Sequence, residues 1–129
     1  AVFAKIDKSS GKVDLTGMGH CPSFHIKSHE PFEAKAIALR SNVLGNEENI
    51  QPKSKTITLE QGQSLVLYTD ALIEQGKRPA TSRSIFKALA KSSLSDSNSI
   101  LQSLHTSYIK NLNGKPSDDD LCLIVVKRR

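Results

Sequence analysis

Ser64-Leu-Val-Leu-Tyr-Thr-Asp70 is an apolar run that ends on a carboxylate. Five to six residues of this kind, bounded by Gly62 on one side and a charge on the other, read as a buried β-strand. A second run with the same character closes the chain: Asp118-Asp119-Asp120-Leu-Cys-Leu-Ile-Val-Val126. Here the acids stand at the start of the strand. If the two strands are neighbours, their carboxylates meet at one end and can hold a divalent cation. Hard cations such as Mg²⁺ or Mn²⁺ bind through carboxylate and water oxygens.

Working outward from these strands, the amino-terminal part is also β-rich. Val2, Ala4 and Ile6 alternate with Phe3, Lys5 and Asp7. The turn residues Asp7-Lys-Ser-Ser-Gly-Lys12 follow, and Val13 and Leu15 alternate again, which predicts a hairpin. Gly17-Met-Gly19 interrupts the pattern before His20-Cys21-Pro22, and Phe24 and Ile26 predict a third strand. The chain therefore opens with three antiparallel strands. Glu33 to Leu39 fits a strand or a short helix, and strand is preferred. Asn42 to Lys55 is polar and reads as a loop, and Thr56 to Leu59 alternates. After Asp70 the period changes. Thr81 or Ser82 can cap a helix containing Ile85, Phe86, Leu89 and Ala90. Asp96 to Leu112 sets Leu101, Leu104, Tyr108 and Leu112 at helical spacing, with Ile100 and Ile109 widening the stripe, and Gly114 and Pro116 end it. The strand over Leu121 to Val126 is apolar throughout, so it is expected to be central and covered on both faces. The class is α+β.

A chain of 129 residues is one domain, able to bury about two-thirds of its unfolded surface. It holds no apolar run near the roughly 20 residues that span a bilayer. It begins Ala1-Val2-Phe3-Ala4, strand-like and without Met, and reads as a portion of a longer polypeptide. The net charge of +5 raises the question of nucleic acid. The basic residues look scattered, however, apart from Lys127-Arg128-Arg129 at an end expected to fray. No aromatic residues alternate with them as single-strand binding requires, so nucleic acid is not expected as a partner. Cys21 and Cys122 lack the spacing of a zinc site or disulfide scaffold, which fits a cytoplasmic location.

Each acidic site has a plain structural alternative. Asp70 can cap the next helical turn, and Asp118-Asp119-Asp120 can be a solvated turn. Three adjacent negative charges nevertheless repel one another at the mouth of a buried strand, and a cation offsets that cost. The His20-Cys21 pair suggests thiol chemistry. Successive strand residues point to opposite faces, so a tight turn is the preferred reading. His25, His29 and His105 are dispersed and read as surface or packing residues.

Taken in order, the hairpin with Asp7 and Gly11, MGHCPSFHI at 18–26, SNVLG at 41–45, ITLEQGQSLVLYTDALIE at 57–74, two helices and DDDLCLIVV at 118–126 form a pattern. It resembles the carboxy-terminal half of the SpoIIE/RsbU-like branch of the metal-dependent (PPM, protein phosphatase 2C-like) serine/threonine phosphatases. The match covers nearly all of the chain. Its most specific parts are Leu67-Tyr68-Thr69-Asp70 with Glu74, and Asp119-Asp120-Leu121.

The resemblance implies an α-β-β-α sandwich of antiparallel sheets with helices outside, of which residues 1–129 would be the carboxy-terminal portion. It implies Asp70 and Asp119 as metal ligands, with Asp120 beside the second. It also implies two Mn²⁺ or Mg²⁺ ions that bridge an attacking water and stabilise charge on the phosphoryl oxygens. The substrate would be a phosphorylated protein, such as an anti-sigma-factor antagonist in bacterial signalling. Departures from the family pattern are Ala71 for glycine, Gln63 for an acid, Val43 for proline and Cys122 for threonine. No Gly-Asp…Gly-His-Gly motif is present, so the chain alone is expected to be inactive or nearly so. A catalytically dead, protein-binding relative is the alternative. An open sandwich of this kind is expected to form a homodimer or exchange strands.

Overall fold

The computed structural model describes residues 1–46, 48–49, 51–74, 82–91 and 96–129. The elements are β1 (Val2–Ile6), β2 (Lys12–Gly17), β3 (Ser23–His29), β4 (Phe32–Ile37), β5 (Lys53–Thr58), β6 (Ser64–Tyr68), α1 (Ala71–Glu74), α2 (Ser82–Lys91), α3 (Ser97–Leu112) and β7 (Leu123–Lys127). They form two antiparallel sheets, β1-β2-β5 and β4-β3-β6-β7. The α+β class and the layered antiparallel architecture agree with expectation.

Alternation along each strand builds two separate cores. In β6, Leu65 and Leu67 point toward the three-stranded sheet. There they join Val13 and Leu15 of β2, with Ile37, Leu39 and Leu59. Val66 and Tyr68 point the other way. They pack with Phe24 and Ile26 of β3 under the helices, against Leu72, Ile85, Leu89, Ile100, Leu104 and Tyr108. All five residues of β6 are buried, as expected for an apolar run between two layers. The described helices cover the outer face of the four-stranded sheet.

The β1–β2 hairpin is in register from Val2 opposite Gly17 to Ile6 opposite Val13. Asp7 shapes its turn: Oδ1 accepts from the Ser9 amide at 2.8 Å and the Ser9 hydroxyl at 2.6 Å. In α3 the Asp96 carboxylate caps the amino terminus by accepting from the Ser99 amide at 2.8 Å. Asn113, at φ 50°, closes the other end. Ile85 and Leu89 face the core as the helical spacing predicts, whereas Ile109 is half exposed. Helix α2 begins at Ser82, and Thr81 lies outside the described residues.

Three expectations change. β3 does not extend the opening hairpin but moves to the other sheet, where it pairs with β4 and β6. β5 begins at Lys53, inside the stretch read as loop. The last apolar run is an edge strand: among the described residues β7 pairs with β6 alone, and Ile124 is 48% exposed. Its residues are apolar because both faces meet apolar layers, Leu123 and Val125 toward the helices and Val126 toward the other sheet. Apolarity on two faces says nothing about whether a strand has one neighbour or two.

Lys127 and Arg128 are anchored, not frayed. Arg128 Nη1 donates to the Ser10 and Leu59 carbonyls, both at 2.8 Å, and Nη2 to the Ser9 carbonyl at 3.1 Å. Lys127 Nζ donates to the Gly62 carbonyl at 2.7 Å. The guanidinium thus ties the end of β7 to the turn of the opposite sheet.

Candidate metal-binding site

Antiparallel pairing of β6 and β7 runs from Ser64 opposite Lys127 to Tyr68 opposite Leu123. Beyond the ladder, Thr69 continues the attachment. Its amide donates to the Cys122 carbonyl at 3.0 Å and its hydroxyl to the Asp120 carbonyl at 3.0 Å, while the Cys122 amide donates back to the hydroxyl at 2.9 Å. One threonine side chain therefore fastens the two acidic segments together. The exit of β6, with Asp70, and the approach to β7, with Asp118, Asp119 and Asp120, lie at the same end of the pair.

All four carboxylates are exposed. Asp70 does not act as the expected plain alternative, a side-chain cap. The Asp70 backbone carbonyl accepts from the amides of Ile73 and Glu74, while no hydrogen bond to its carboxylate occurs among the described residues. Asp119 is held from behind. Tyr108 of α3 donates to the Ser117 hydroxyl at 2.6 Å, and that hydroxyl reaches the Asp119 carbonyl. Asp119 Oδ1 accepts from the Asp120 amide at 2.8 Å. A helix in the core thus positions the acidic turn through its one tyrosine.

The turn at residues 18–22 lies against this end of the sheet. It is not strand, so alternation does not separate His20 from Cys21. His20 Nε2 and Cys21 Sγ are 3.9 Å apart, and the thiol donates to the Tyr68 carbonyl at 3.1 Å. Burial holds the His20 imidazole below its ordinary pKa, the Ala1 ammonium adds to this, and the Asp70 charge opposes it. Burial first, and the Asp70 charge after it, push the Cys21 thiol up to about 11. A thiol so strongly protonated at neutral pH is no nucleophile, so cysteine catalysis fails on electrostatics even though the two side chains meet. That the Asp70 charge reaches His20 was not legible from spacing. The only signal was the glycine-histidine-proline turn of the family pattern.

Ala71 also takes a definite role. It is 1% exposed in α1, and among the described residues Asn113 is the non-glycine position with positive φ. Residue 71 therefore needs no glycine, and its methyl packs in the core. Gln63 stands where the family carries an acid. Its Oε1 lies 2.7 Å from Nε2 of buried His25 and accepts from the Glu60 amide at 3.2 Å. It satisfies a polar group between the sheets.

As donors, Asp70 and Asp119 suit a hard divalent cation. Their number is small: among the described residues no group of three or more His, Cys, Asp or Glu side chains is placed to hold a metal. In kind the two aspartates fit such an ion, but two carboxylates are fewer than the roughly six or more oxygen ligands that a hard divalent cation takes.

The sequence matches the family model for Stage II sporulation protein E (SpoIIE) over residues 1–129. No curated protein matches it. Among solved structures it is similar to the phosphatase domain of the cell fate determinant SpoIIE from Bacillus subtilis, presoaked with Mn, at 16% identity and TM-score 0.79 over 99% of this chain and 56% of that one. It is similar to the RsbU and RsbW domains of Rv1364c from Mycobacterium tuberculosis at 22% identity and TM-score 0.74, over 99% of this chain and 35% of that one. RsbX in complex with magnesium matches at 19% identity and TM-score 0.62, over 96% and 53%. At these identities the likeness is one of fold. The chain spans little more than half of the SpoIIE phosphatase domain.

Proposed function

The chain belongs to the SpoIIE family, and from that membership we propose that it is the carboxy-terminal portion of a metal-dependent phosphoserine/phosphothreonine protein phosphatase domain. Asp70 and Asp119 are its contribution to a site for Mn²⁺ or Mg²⁺. The observation that supports this best is the Thr69 attachment, which brings both aspartates to one end of the β6–β7 pair. When bound, such ions acidify an attacking water and neutralise charge on the phosphoryl oxygens. The chain's own part is to present two exposed carboxylates, one just past β6 and one in the turn before β7, and to hold that turn through Tyr108 and Ser117. No side-chain nucleophile is required, consistent with a protonated Cys21. The remaining ligands come from other sequence of the same domain. The substrate is a phosphorylated protein such as an anti-sigma-factor antagonist, in cytoplasmic bacterial signalling.

The test uses the parent polypeptide with MnCl₂ and a phosphoserine protein. Phosphate release is expected, with loss in an Asp70→Ala/Asp119→Ala double variant. No release, or full release by the double variant, overturns the reading. The small number of donors favours one alternative, a phosphatase-like module that binds protein without catalysis. Isothermal titration separates the two, because absence of Mn²⁺ uptake by the parent leaves only that module.

A further inference from the structure

The positive charge of this chain is not spread evenly. Residues 75–117 contain seven basic residues and one acid, a balance of +6 against +5 for the whole chain. The other segments together are slightly acidic. That single acid, Asp96, serves as the α3 cap. Within α2, Arg83, Lys87 and Lys91 recur every fourth residue and share one face. The structure sets two of them, Lys87 and Lys91, along a groove of about 530 Å³ between α2 and α3, with Lys110 on its α3 side. The floor includes the small residues Ala88, Ser103 and Ser107. The ion pairs among the described residues, Lys12–Asp14 and Lys27–Glu33, involve none of these lysines.

We propose that the α2–α3 groove docks an acidic helix of a protein partner. A trough between two helices, floored by small side chains, accepts the ridge of a third helix. The three lysines on it provide a field complementary to carboxylates. Nucleic acid fits the surface less well, because among the described residues no aromatic side chain lines the groove to stack on bases. The groove lies on α2 and α3, and its lining includes neither Asp70 nor Asp119. Its occupancy needs neither metal nor phosphatase chemistry, so the outcome below leaves the phosphatase reading untouched.

Fluorescence anisotropy of the full chain with a labelled helical Glu/Ala peptide tests this. Binding is expected at low salt and should weaken as salt rises. A Lys87→Glu/Lys91→Glu/Lys110→Glu variant should lose at least about tenfold in affinity, whereas the matching Lys→Arg variant keeps it within about threefold. Ser103→Trp, which fills the floor without changing charge, should also weaken binding. The lysines are exposed, so the reversal variant remains decisive if the tryptophan variant fails to fold by circular dichroism. No binding by the unaltered chain, or undiminished binding by the reversal variant, overturns the proposal. So does undiminished binding by a folded Ser103→Trp variant, since attraction would then need no groove. Tighter binding of duplex DNA or of anionic lipid vesicles, with displacement of the peptide, would assign the surface to those partners instead.

Discussion

Gly11 sits in the β1–β2 turn at φ +74°, and a Cβ there would collide with the Leu59 carbonyl oxygen and the Arg128 guanidinium. Both the left-handed backbone and the contact with Arg128 require glycine. Gly11→Ala is therefore expected to destabilise the chain by about 2–4 kcal/mol, from αL strain plus displacement of the Arg128 tie, measured by urea unfolding. Tyr68 predicts the opposite sign. Its ring stacks against Phe24 at 6.2 Å in the helix-side core, yet its hydroxyl is buried without a hydrogen-bond partner among the described residues. Tyr68→Phe removes an unsatisfied polar atom and keeps the ring. The expected change runs from none to a gain of about 1–2 kcal/mol. A clear loss of stability in the same unfolding assay would show that the hydroxyl has a partner. Neither effect was legible in the sequence. Gly11 reads as an ordinary turn residue, and its constraint comes from an arginine 117 positions away.

Among the elements, the β1–β2 turn has a defined pH response. Hydrogen bonds from Ser9 and Ser10 lower the Asp7 carboxyl from an ordinary 3.8 to about 2. The folded value lies below the unfolded one, so the stabilisation is present above the unfolded pKa. It is lost as pH falls through about 2. A carboxyl titration followed by NMR should put the Asp7 midpoint near 2, and in Ser9→Ala it should move up toward 3.8. An unshifted midpoint in the parent chain would rule the turn geometry out. The turn's existence was plain from Asp7-Lys-Ser-Ser-Gly-Lys12. The helices were equally plain, since 3.6-residue spacing reports which side of a helix is apolar. Strand neighbours were not: period-two patterning marks the faces of β3 and β7 but not which strand lies at their edges.

For the molecule as a whole, the feature that matters is its open edges. Among the described residues β1 and β7 each pair on one side only. Phe3 and Ile6 on β1 and Ile124 on β7 are 61%, 38% and 48% exposed. Unpaired strand edges beside exposed apolar side chains recruit further strands. The chain is expected to self-associate, by edge pairing or strand exchange, when studied as residues 1–129. Sedimentation velocity should show a concentration-dependent dimer, weakened by Ile124→Lys. A monomer at every concentration would contradict this. The α2–α3 groove belongs to the same scale, because its field arises only when charges from two helices are set side by side.

By itself, the sequence determined most strand and helix segments, the α+β class and the family. These follow from local periodicity and from motifs that are contiguous in the chain. Tertiary structure alone decided that β7 is an edge among the described strands, that Thr69 fastens Asp70 to the Asp119 turn and that Cys21 meets the end of β6 at Tyr68. It also decided that Arg128 closes the sandwich and that the lysines gather on one groove. Each of these is a contact between residues far apart in the chain. Local pattern tells which face of a segment avoids water, but not which distant segment will cover it.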